Sequence, residues 1–303
     1  MKNNQRQSTL NSTLKKISTF FTFIALYSLS TLALANSSVW KVSKDNDHVF
    51  IGGTIHILPE EEFPLPDEFL NAYKNTDQII LEAELPNPSD AAAQQAILTQ
   101  MSYSDGQTLQ DFITPNTFEM LGKYFSAIGS DVNQFTLFKP GFVISIMALL
   151  ELQRAEISGE GVDAYFEDLA IKEQKKITYL ETSEMQFSML SRLGEGYEDE
   201  FILSNLDLNS NFTEFFQQIL DAWRTGNAAR LENLINIAAI ESDEKSYDAL
   251  FTHRNKNWVP QIEALFNNKH KEFILVGAGH LFGKGGLLEL LKNKGYSIEQ
   301  TST

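Results

Sequence analysis

The sequence predicts an α/β fold whose central sheet is built from two pseudo-symmetric halves around a cleft, with a large helical cap. Short apolar segments alternate with segments of helical periodicity, which is typical of α/β proteins. Long helical stretches at about 88–155 and 211–266 predict the cap. One pattern also occurs twice, at 48–58 and 271–282: an apolar strand, then Gly-x-x-His, then two apolar residues. This repeat favours an arrangement in which both strands are central and both turns face one cleft.

The predicted elements follow one another along the chain without a linker rich in Pro, Gly or Ser. Apolar runs bounded by turn residues predict strands at 39–43, 48–53, 78–85, 176–180, 272–276 and 296–299. Outside the two long stretches, helices are predicted at 66–75, 161–174 and 286–293. We therefore expect 36–303 to form a single domain.

Residues 1–35 have the features of an export signal. An apolar run at 17–34 follows a basic start and ends in the small-x-small pattern Ala33-Leu34-Ala35. We predict cleavage between Ala35 and Asn36 and a periplasmic or secreted protein without a stable membrane anchor. An uncleaved anchor is the alternative, because the run approaches the length that spans a bilayer, but its hydroxyl residues and its Ala-x-Ala end argue against one.

The composition restricts the partners and the chemistry. The signal holds four of the 24 basic residues and none of the 40 acidic ones, so the mature chain carries a net charge of −20. Such a chain repels phosphate backbones, and nucleic acid is not an expected partner. There is no cysteine, which excludes a thiol nucleophile and a thiolate metal site. Any metal must be held by Asp, Glu or one of five histidines.

The two Gly-x-x-His turns are the strongest candidates for a site. Gly53 and Gly277 let the chain leave each strand sharply, and His56 and His280 then lie at carboxyl ends of strands, where α/β sheets bind ligands. A single histidine after a strand is more often structural than functional. Two such turns among five histidines favour a shared cleft.

Acidic residues and one arginine extend the candidate site. Glu82 and Glu84 are two positions apart on a predicted central strand and would share a face, although a solvated edge strand is the alternative. Glu181 follows the strand at 176–180 in the same way. Arg254 would bind a substrate carboxylate, stabilise an oxyanion or form a structural salt bridge. The pattern leaves these roles open.

Further motifs make the chain resemble the TraB/PrgY/GumN family over about 40–299, in its exported GumN-like form. The resemblance rests on the paired Gly-x-x-His turns and on a series of short motifs in the expected order. These motifs are Leu81-Glu82-Ala83-Glu84-Leu85, Lys139-Pro140, Gly161-Val162-Asp163, Leu180-Glu181-Thr182, Ala222-Trp223 and Arg254-Asn255 with Trp258. The sequence departs from the family at Glu84, where Asp is usual.

The resemblance implies a fold similar to erythromycin-esterase-like and ChaN-like proteins. Relatives among the TIKI metalloproteases imply hydrolysis of a peptide or protein substrate that depends on a divalent metal, Mn²⁺, Co²⁺ or Zn²⁺. Carried over to this chain, the metal ligands would be His56, His280 and Glu82, and a remaining glutamate would be the general base. The alternative is a non-catalytic periplasmic protein that binds a peptide signal, haem or metal in the same cleft.

Overall fold

The computed structural model describes residues 36–84, 86–87, 89–208, 212–266 and 268–302. The predicted signal and its cleavage site precede these residues, so export stays a prediction. Asn36–Thr303 forms one compact unit. No helix of the described residues is long and apolar enough to cross a membrane.

Six strands form one mixed sheet in the order β4-β3-β5-β2-β1-β6. The strands are β1 (Asn36–Lys44), β2 (Asp47–Thr54), β3 (Gln78–Leu81), β4 (Lys176–Tyr179), β5 (Glu272–Gly277) and β6 (Ser297–Ser302). β2, β5, β3 and β4 are mutually parallel, whereas β1 pairs antiparallel with β2 and with β6. The α/β class and all six predicted strands are confirmed, with shifted ends.

The two strands that carry the Gly-x-x-His turns are neighbours at the centre of the sheet. Thr54 of β2 is opposite Gly277 of β5 in the parallel register. Every residue of β5 is buried, including Glu272 at its start, and the burial of 273–276 agrees with the apolar sequence of that part. Both turns therefore leave the same edge of the sheet, as the repeat predicts. A pseudo-twofold relation between two halves stays a prediction.

Helices fill the connections between the strands. They are α1 (Asp67–Lys74), α2 (Ala91–Met101), α3 (Pro115–Ala127), α4 (Pro140–Arg154), α5 (Val162–Glu173), α6 (Ser183–Leu190), α7 (Glu198–Leu208), α8 (Phe212–Arg224), α9 (Ala228–Leu231), α10 (Ala238–Tyr247), α11 (His253–Glu263) and α12 (Leu287–Asn293). Two π-helical turns, Glu232–Ile237 and Asp248–Thr252, interrupt the helical run before α11. Such turns are rare and occur frequently at functional sites.

Two apolar cores hold these elements together. One lies on the sheet and includes Phe69, Phe166, Trp223 and Phe273, all fully buried. The other lies among helices α3, α4 and α7 and the segments beside them, and it includes Phe125. We call these helices the helical block; α3 and α4 lie in the stretch 88–155 that the sequence predicts as part of the cap.

Candidate active site

Four parallel strands deliver chemically active residues to one edge of the sheet. The carboxyl ends of β2, β5, β3 and β4 are Thr54, Gly277, Leu81 and Tyr179, and they lie side by side. The residues that follow them are His56, His280, Glu82 and Glu181. These residues, together with Gly277 and Arg254, define what we call the site cleft.

His56 is held by the start of helix α5. Its Nδ1 lies 3.2 Å from Asp163 Oδ1, and the backbone N–H of Val162 donates to Ile55 O at 3.0 Å. Gly161 permits this close approach, because a Cβ there would lie 2.3 Å from His56 O. Asp163 sits in the first turn of α5, where the helix dipole favours a negative charge. The local sequence thus fixes one nitrogen of His56 and leaves Nε2 to the cleft.

His280 is buried, with 2 % of its surface exposed. Its Nδ1 is 2.7 Å from Asn255 Oδ1, and its Nε2 is 2.9 Å from Arg254 Nη1. Trp258 and Phe251 pack against the ring, with ring centroids 4.4 and 5.1 Å away. The imidazole is therefore fixed in position on both its polar and its apolar sides.

The hydrogen bonds of His280 define its tautomer. Arginine has donors only, so Nε2 must accept from Arg254. The proton then resides on Nδ1 and is donated to Asn255 Oδ1. The Asn255 amide nitrogen donates to the carbonyls of His280 and Gly285 at 3.1 and 2.9 Å, which orients its oxygen toward the ring. In both histidines, Nδ1 is held by an oxygen and Nε2 faces the cleft.

Arg254 connects the two acidic residues of the cleft. It forms three contacts of 2.6–3.2 Å with Glu181, through Nε and Nη2, and Nη2 also donates to Glu82 Oε2. Glu82 additionally accepts from the Gly277 N–H at 2.6 Å and from Gln186 at 3.2 Å. The exposed fractions of the Arg254, Glu82 and Glu181 side chains are 12, 11 and 4 %. Their charges are therefore only weakly screened by water.

The charges of the site shift the pKa values of three groups. Burial raises the pKa of Glu82, but the positive charge of His280, Arg254 and His56 and the N–H of Gly277 outweigh it, and the pKa falls to about 2. Burial and the charges of Arg254 and His56 lower the pKa of His280 to about 3 although Glu82 opposes them. Because His280 is then neutral near pH 7, the permanent charge of Arg254 is the main reason that Glu82 is ionised.

The pKa of His56 shifts in the opposite direction, to a higher value. Burial in the cleft lowers its pKa, but the hydrogen bond and charge of Asp163, with the charge of Glu82, outweigh burial and raise the pKa to about 9. With 62 % of the side chain open to solvent, water moderates both effects. The imidazolium is still the favoured form at neutral pH.

The donor atoms of the cleft fit a divalent cation in chemistry but are not assembled as a three-ligand site. His56 Nε2 and Glu82 Oε1 lie 3.2 and 3.3 Å from the position of a Cβ on Gly277, so the missing side chain leaves a cradle between them. His280 Nε2 is 3.7 Å from Glu82 Oε1. Among the described residues, no group of three or more His, Asp or Glu is arranged to hold a metal ion. At the site cleft, Arg254 instead contacts His280 Nε2 and Glu82 Oε2, two atoms that a metal ion would need.

Comparison with known proteins shows which family the chain belongs to. The profile of the TraB/PrgY/gumN family matches residues 38–300. The chain belongs to this family. It is similar to the YbaP protein of Escherichia coli K12, with 25 % identity over 82 % of this chain and 89 % of that protein.

Two vertebrate metalloproteases are also similar to the chain. Metalloprotease TIKI1 of Danio rerio is 22 % identical over 88 % of this chain and 63 % of its own length. Metalloprotease TIKI2 of Xenopus tropicalis is 22 % identical over 88 % of this chain and 60 % of its own length. No solved structure matches the chain.

The structure brings together most of the predicted site residues of this family member. His56, His280, Glu82, Glu181 and Arg254 all meet at the site cleft. The strand predicted at 78–85 is shorter than expected, because β3 ends at Leu81. Glu82 therefore enters the cleft from the turn after the strand.

The other residues considered from the sequence lie outside this centre. Glu84 is exposed, and its backbone oxygen accepts from Ser183 Oγ. His48 is half-buried against Phe50, and His253 and His270 are exposed. We assign none of them to the site cleft.

Three positioning residues have no role assigned to them from the sequence: Asp163, Asn255 and Gln186. Asp163 and Asn255 do occur in the motifs Gly161-Val162-Asp163 and Arg254-Asn255, but the motifs do not show which residues they contact. A signal for Asn255 exists in retrospect, since it is a fully buried polar residue on a helix and must have partners. Their partners lie 107, 25 and 104 residues away, so only the fold reveals them.

Proposed function

We propose that this chain is a hydrolase of peptide bonds that works with a divalent metal ion, Mn²⁺, Co²⁺ or Zn²⁺. The observation that carries the proposal is the pair of imidazoles that present Nε2 to one cleft beside the ionised Glu82. The similarity to TIKI1 and TIKI2, which are named metalloproteases, supports it. Nitrogen and oxygen donors without thiolates suit these three metals.

His56, Glu82 and His280 would hold the cation, but Arg254 would first have to release His280 Nε2 and His56 would have to lose its proton. The bound cation supplies a Lewis acid for the scissile carbonyl and for the attacking water. Asp163 and Asn255 hold the two Nδ1 atoms, which is the usual way in which a second residue orients a histidine ligand. Arg254 and the N–H of Gly277 hold the pKa of Glu82 below its usual range, so Glu82 is a weak base at neutral pH and acts here as a ligand and a fixed charge.

Arg254 provides the positive charge on the other side of the cleft. It would stabilise negative charge that develops on the scissile carbonyl oxygen, or bind the carboxylate of a peptide end. Both oxygens of Glu181 contact Arg254, and Oε2 also accepts from Trp258 Nε1 at 3.2 Å. Glu181 is therefore a positioning residue in this proposal, and it acts on the substrate only through Arg254.

One observation favours a second candidate, hydrolysis without metal. Arg254 engages His280 and Glu82, while His56 Nε2 faces the cleft and Asp163 orients its ring. A His–Asp pair of this kind can donate and accept the protons of hydrolysis by itself. In this route the protonated His56 is the general acid near neutral pH and the general base only after it has lost its proton, and Arg254 stabilises the oxyanion.

The test is a peptide library incubated with purified protein and read by mass spectrometry. The protein is first treated with a chelator, then assayed with and without each metal. We expect cleavage only after metal addition, and loss of metal affinity by calorimetry in His56→Ala and His280→Ala. Glu82→Gln removes the charge of the carboxylate and so tests whether Glu82 is a metal ligand. His270→Ala is the matched control, because His270 is exposed and outside the cleft.

Two results decide against this proposal. Cleavage that persists in the chelated protein supports the metal-free route. Absence of all cleavage, with metal or peptide still bound, supports the alternative of a binding protein for a peptide signal, haem or metal.

A further inference from the structure

An apolar cavity of about 530 Å³ opens directly onto the site cleft. Its wall contains Leu152, Phe216, Ile219, Ile235, Leu250 and Phe251, and His56, Glu82, Gly277 and His280 form its floor. These six apolar side chains are all half-buried, so the fold leaves them partly in water beside the reacting atoms. The volume lies in the range typical of ligand sites.

The lining of this cavity favours apolar groups of a ligand over charged ones. Of the described residues that line it, the ionisable ones are His56, Glu82, Arg254 and His280, all of which belong to the site cleft. Among the described residues, no charged side chain lines the apolar wall itself. A charged substrate side chain that packs against this wall, away from the four site cleft residues, would lose its water without a partner, whereas an apolar one would gain by leaving water.

The wall is assembled from several separate elements. α4 contributes Leu152, α8 contributes Phe216 and Ile219, and the two π-helical turns contribute Ile235 and Leu250. Phe216, Ile219 and Ile235 also pack against the core on the sheet and Leu250 against the helical core, whereas Leu152 packs against neither core.

The neighbouring cavities indicate a chain-like ligand. A second cavity of about 410 Å³ shares Met189 and Arg254 with the apolar cavity, and a third of about 190 Å³ shares His56, Glu82 and Gln186. The free space thus continues past the site cleft in two directions. An extended peptide fits this shape, with one side chain in the apolar cavity. A separate cavity of about 510 Å³ in the helical block contains none of the site cleft residues.

We propose that the apolar cavity is a specificity pocket that accepts a large aliphatic or aromatic side chain of a peptide, next to the bond at the site cleft. This inference rests on the proposed function for its reaction, but not for its binding preference. A difference of a few methylene groups in an apolar pocket changes selectivity by roughly 10- to 100-fold. We therefore expect peptides with Leu or Phe at this position to be preferred over the Ala peptide by a factor of that order.

The experiment compares three peptides that differ at one position, Leu, Ala and Asp. Binding is measured by fluorescence anisotropy of labelled peptides, and turnover is measured separately as kcat/KM. Leu152→Lys places a cation in the pocket, and we expect it to lower the Leu-to-Asp preference at least about tenfold. Leu149→Lys is the matched control on the same helix, because Leu149 is 57 % exposed and does not line the cavity. Ile219→Lys is a second variant that tests a lining residue on another helix, α8.

The outcomes separate the specificity from the reaction. Selective binding without turnover overturns the proposed hydrolase and retains the pocket. Turnover without preference for Leu, or a preference unchanged in both Leu152→Lys and Ile219→Lys, overturns the pocket. If neither Leu nor Asp peptides bind, the pocket is also overturned. A circular dichroism spectrum and a melting temperature confirm that each variant is folded before it is compared.

Discussion

At the scale of single residues, the most important feature is Arg254, whose guanidinium forms salt bridges with both Glu82 and Glu181. Arg254 touches Glu82, Glu181, His280 and the carbonyl of Leu250, and its guanidinium also lies over the Trp258 ring at 4.7 Å. A compact ammonium group cannot reproduce these planar contacts. Arg254 thus determines both the charge and the shape of the site cleft.

We expect Arg254→Ala to destabilise the protein strongly. The variant leaves Glu82 and Glu181 buried without their cation, and such a loss costs about 3–5 kcal/mol. Arg254→Lys restores the charge but not the two-pronged contact, so its loss is smaller. The control is Lys123→Ala, whose pair with Glu119 is exposed to solvent on both sides, so its loss should leave the stability close to that of the parent. Urea unfolding of the four proteins provides the measurement, and equal stabilities for Arg254→Ala and the parent contradict this view.

The His56–Asp163 pair predicts a pH dependence in chelator-treated protein. The folded pKa of His56, about 9, lies above the ordinary value of 6.5, so the pair stabilises the fold fully below about pH 6.5. This contribution is lost as the pH rises through about 9. Asp163→Asn removes the acceptor charge and should lower the His56 pKa.

Two measurements check this prediction. An NMR titration follows the imidazole of His56, with His270→Ala as an aid to assignment. Urea unfolding at pH 6 and pH 10 then compares the parent with Asp163→Asn, and the stability difference should shrink at the higher pH. A His56 that titrates near 6.5 in the parent rules out the proposed role of Asp163.

At the scale of elements, the two glycines of the repeated motif have different tasks. A Cβ on Gly53 would lie 2.7 Å from Leu281 Cδ1 and 3.3 Å from Ala278 Cα, inside the core. A Cβ on Gly277 would instead point at His56 and Glu82 in the cleft. The backbone angles of Gly277, φ −49° and ψ 136°, suit any residue. Gly53 therefore serves packing, and Gly277 serves the site.

Alanine at each position should separate these tasks. Gly53→Ala overfills a tight contact and should cost about 1–3 kcal/mol of stability. Gly277→Ala should unfold close to the parent but lose metal affinity and peptide cleavage, because the methyl group occupies the cradle. Urea unfolding and calorimetry on the same two variants provide the comparison. A Gly277→Ala protein with full metal affinity shows that the cradle is not the cation site.

The elements also show what the sequence can and cannot predict. β2 and β5 are recognisable because each combines an apolar run with Gly-x-x-His, and their shared edge follows from parallel pairing. The early end of β3 at Leu81 is not recognisable, because 82–85 continues the alternation of apolar and acidic residues. The π-helical turns are equally hidden, since their sequences have ordinary helical periodicity. A local sequence pattern predicts the presence of a strand or helix better than it predicts the residue at which that element ends.

At the scale of the whole molecule, the site depends on contacts between distant parts of the chain. The residues that meet Glu82 come from positions 186, 254 and 277. Sequence patterns predict that strand ends gather at one sheet edge, but not which side chain pairs with which. Arg254 illustrates the limit: its alternatives of substrate contact, oxyanion contact and salt bridge are equally consistent with the sequence. The fold adds the salt bridge to Glu82 and Glu181.

The contacts of β1 with the rest of the molecule also restrict where the predicted signal peptide can be cleaved. β1 begins at Asn36, the first residue after the predicted cleavage site, and Asn36 pairs with Ser302 at the other end of the chain. Ser37 and Ser38 are fully buried, and Ser38 Oγ donates to Trp223 O at 3.0 Å. Cleavage further into β1 would remove ladder hydrogen bonds and buried contacts together.

We therefore expect the exported protein to begin at Asn36 or shortly before it. N-terminal sequencing of the periplasmic or secreted fraction measures this directly. A recombinant chain that starts at Asn36 should unfold at the same urea concentration as the exported protein. A chain that starts at Lys41 should unfold at a lower one, because it lacks half of β1 and the Ser38 contact. Protein that retains Met1 in the cytoplasmic fraction, with none exported, contradicts the signal, whereas an exported chain that starts at or after Lys41 with unchanged stability contradicts the role of β1.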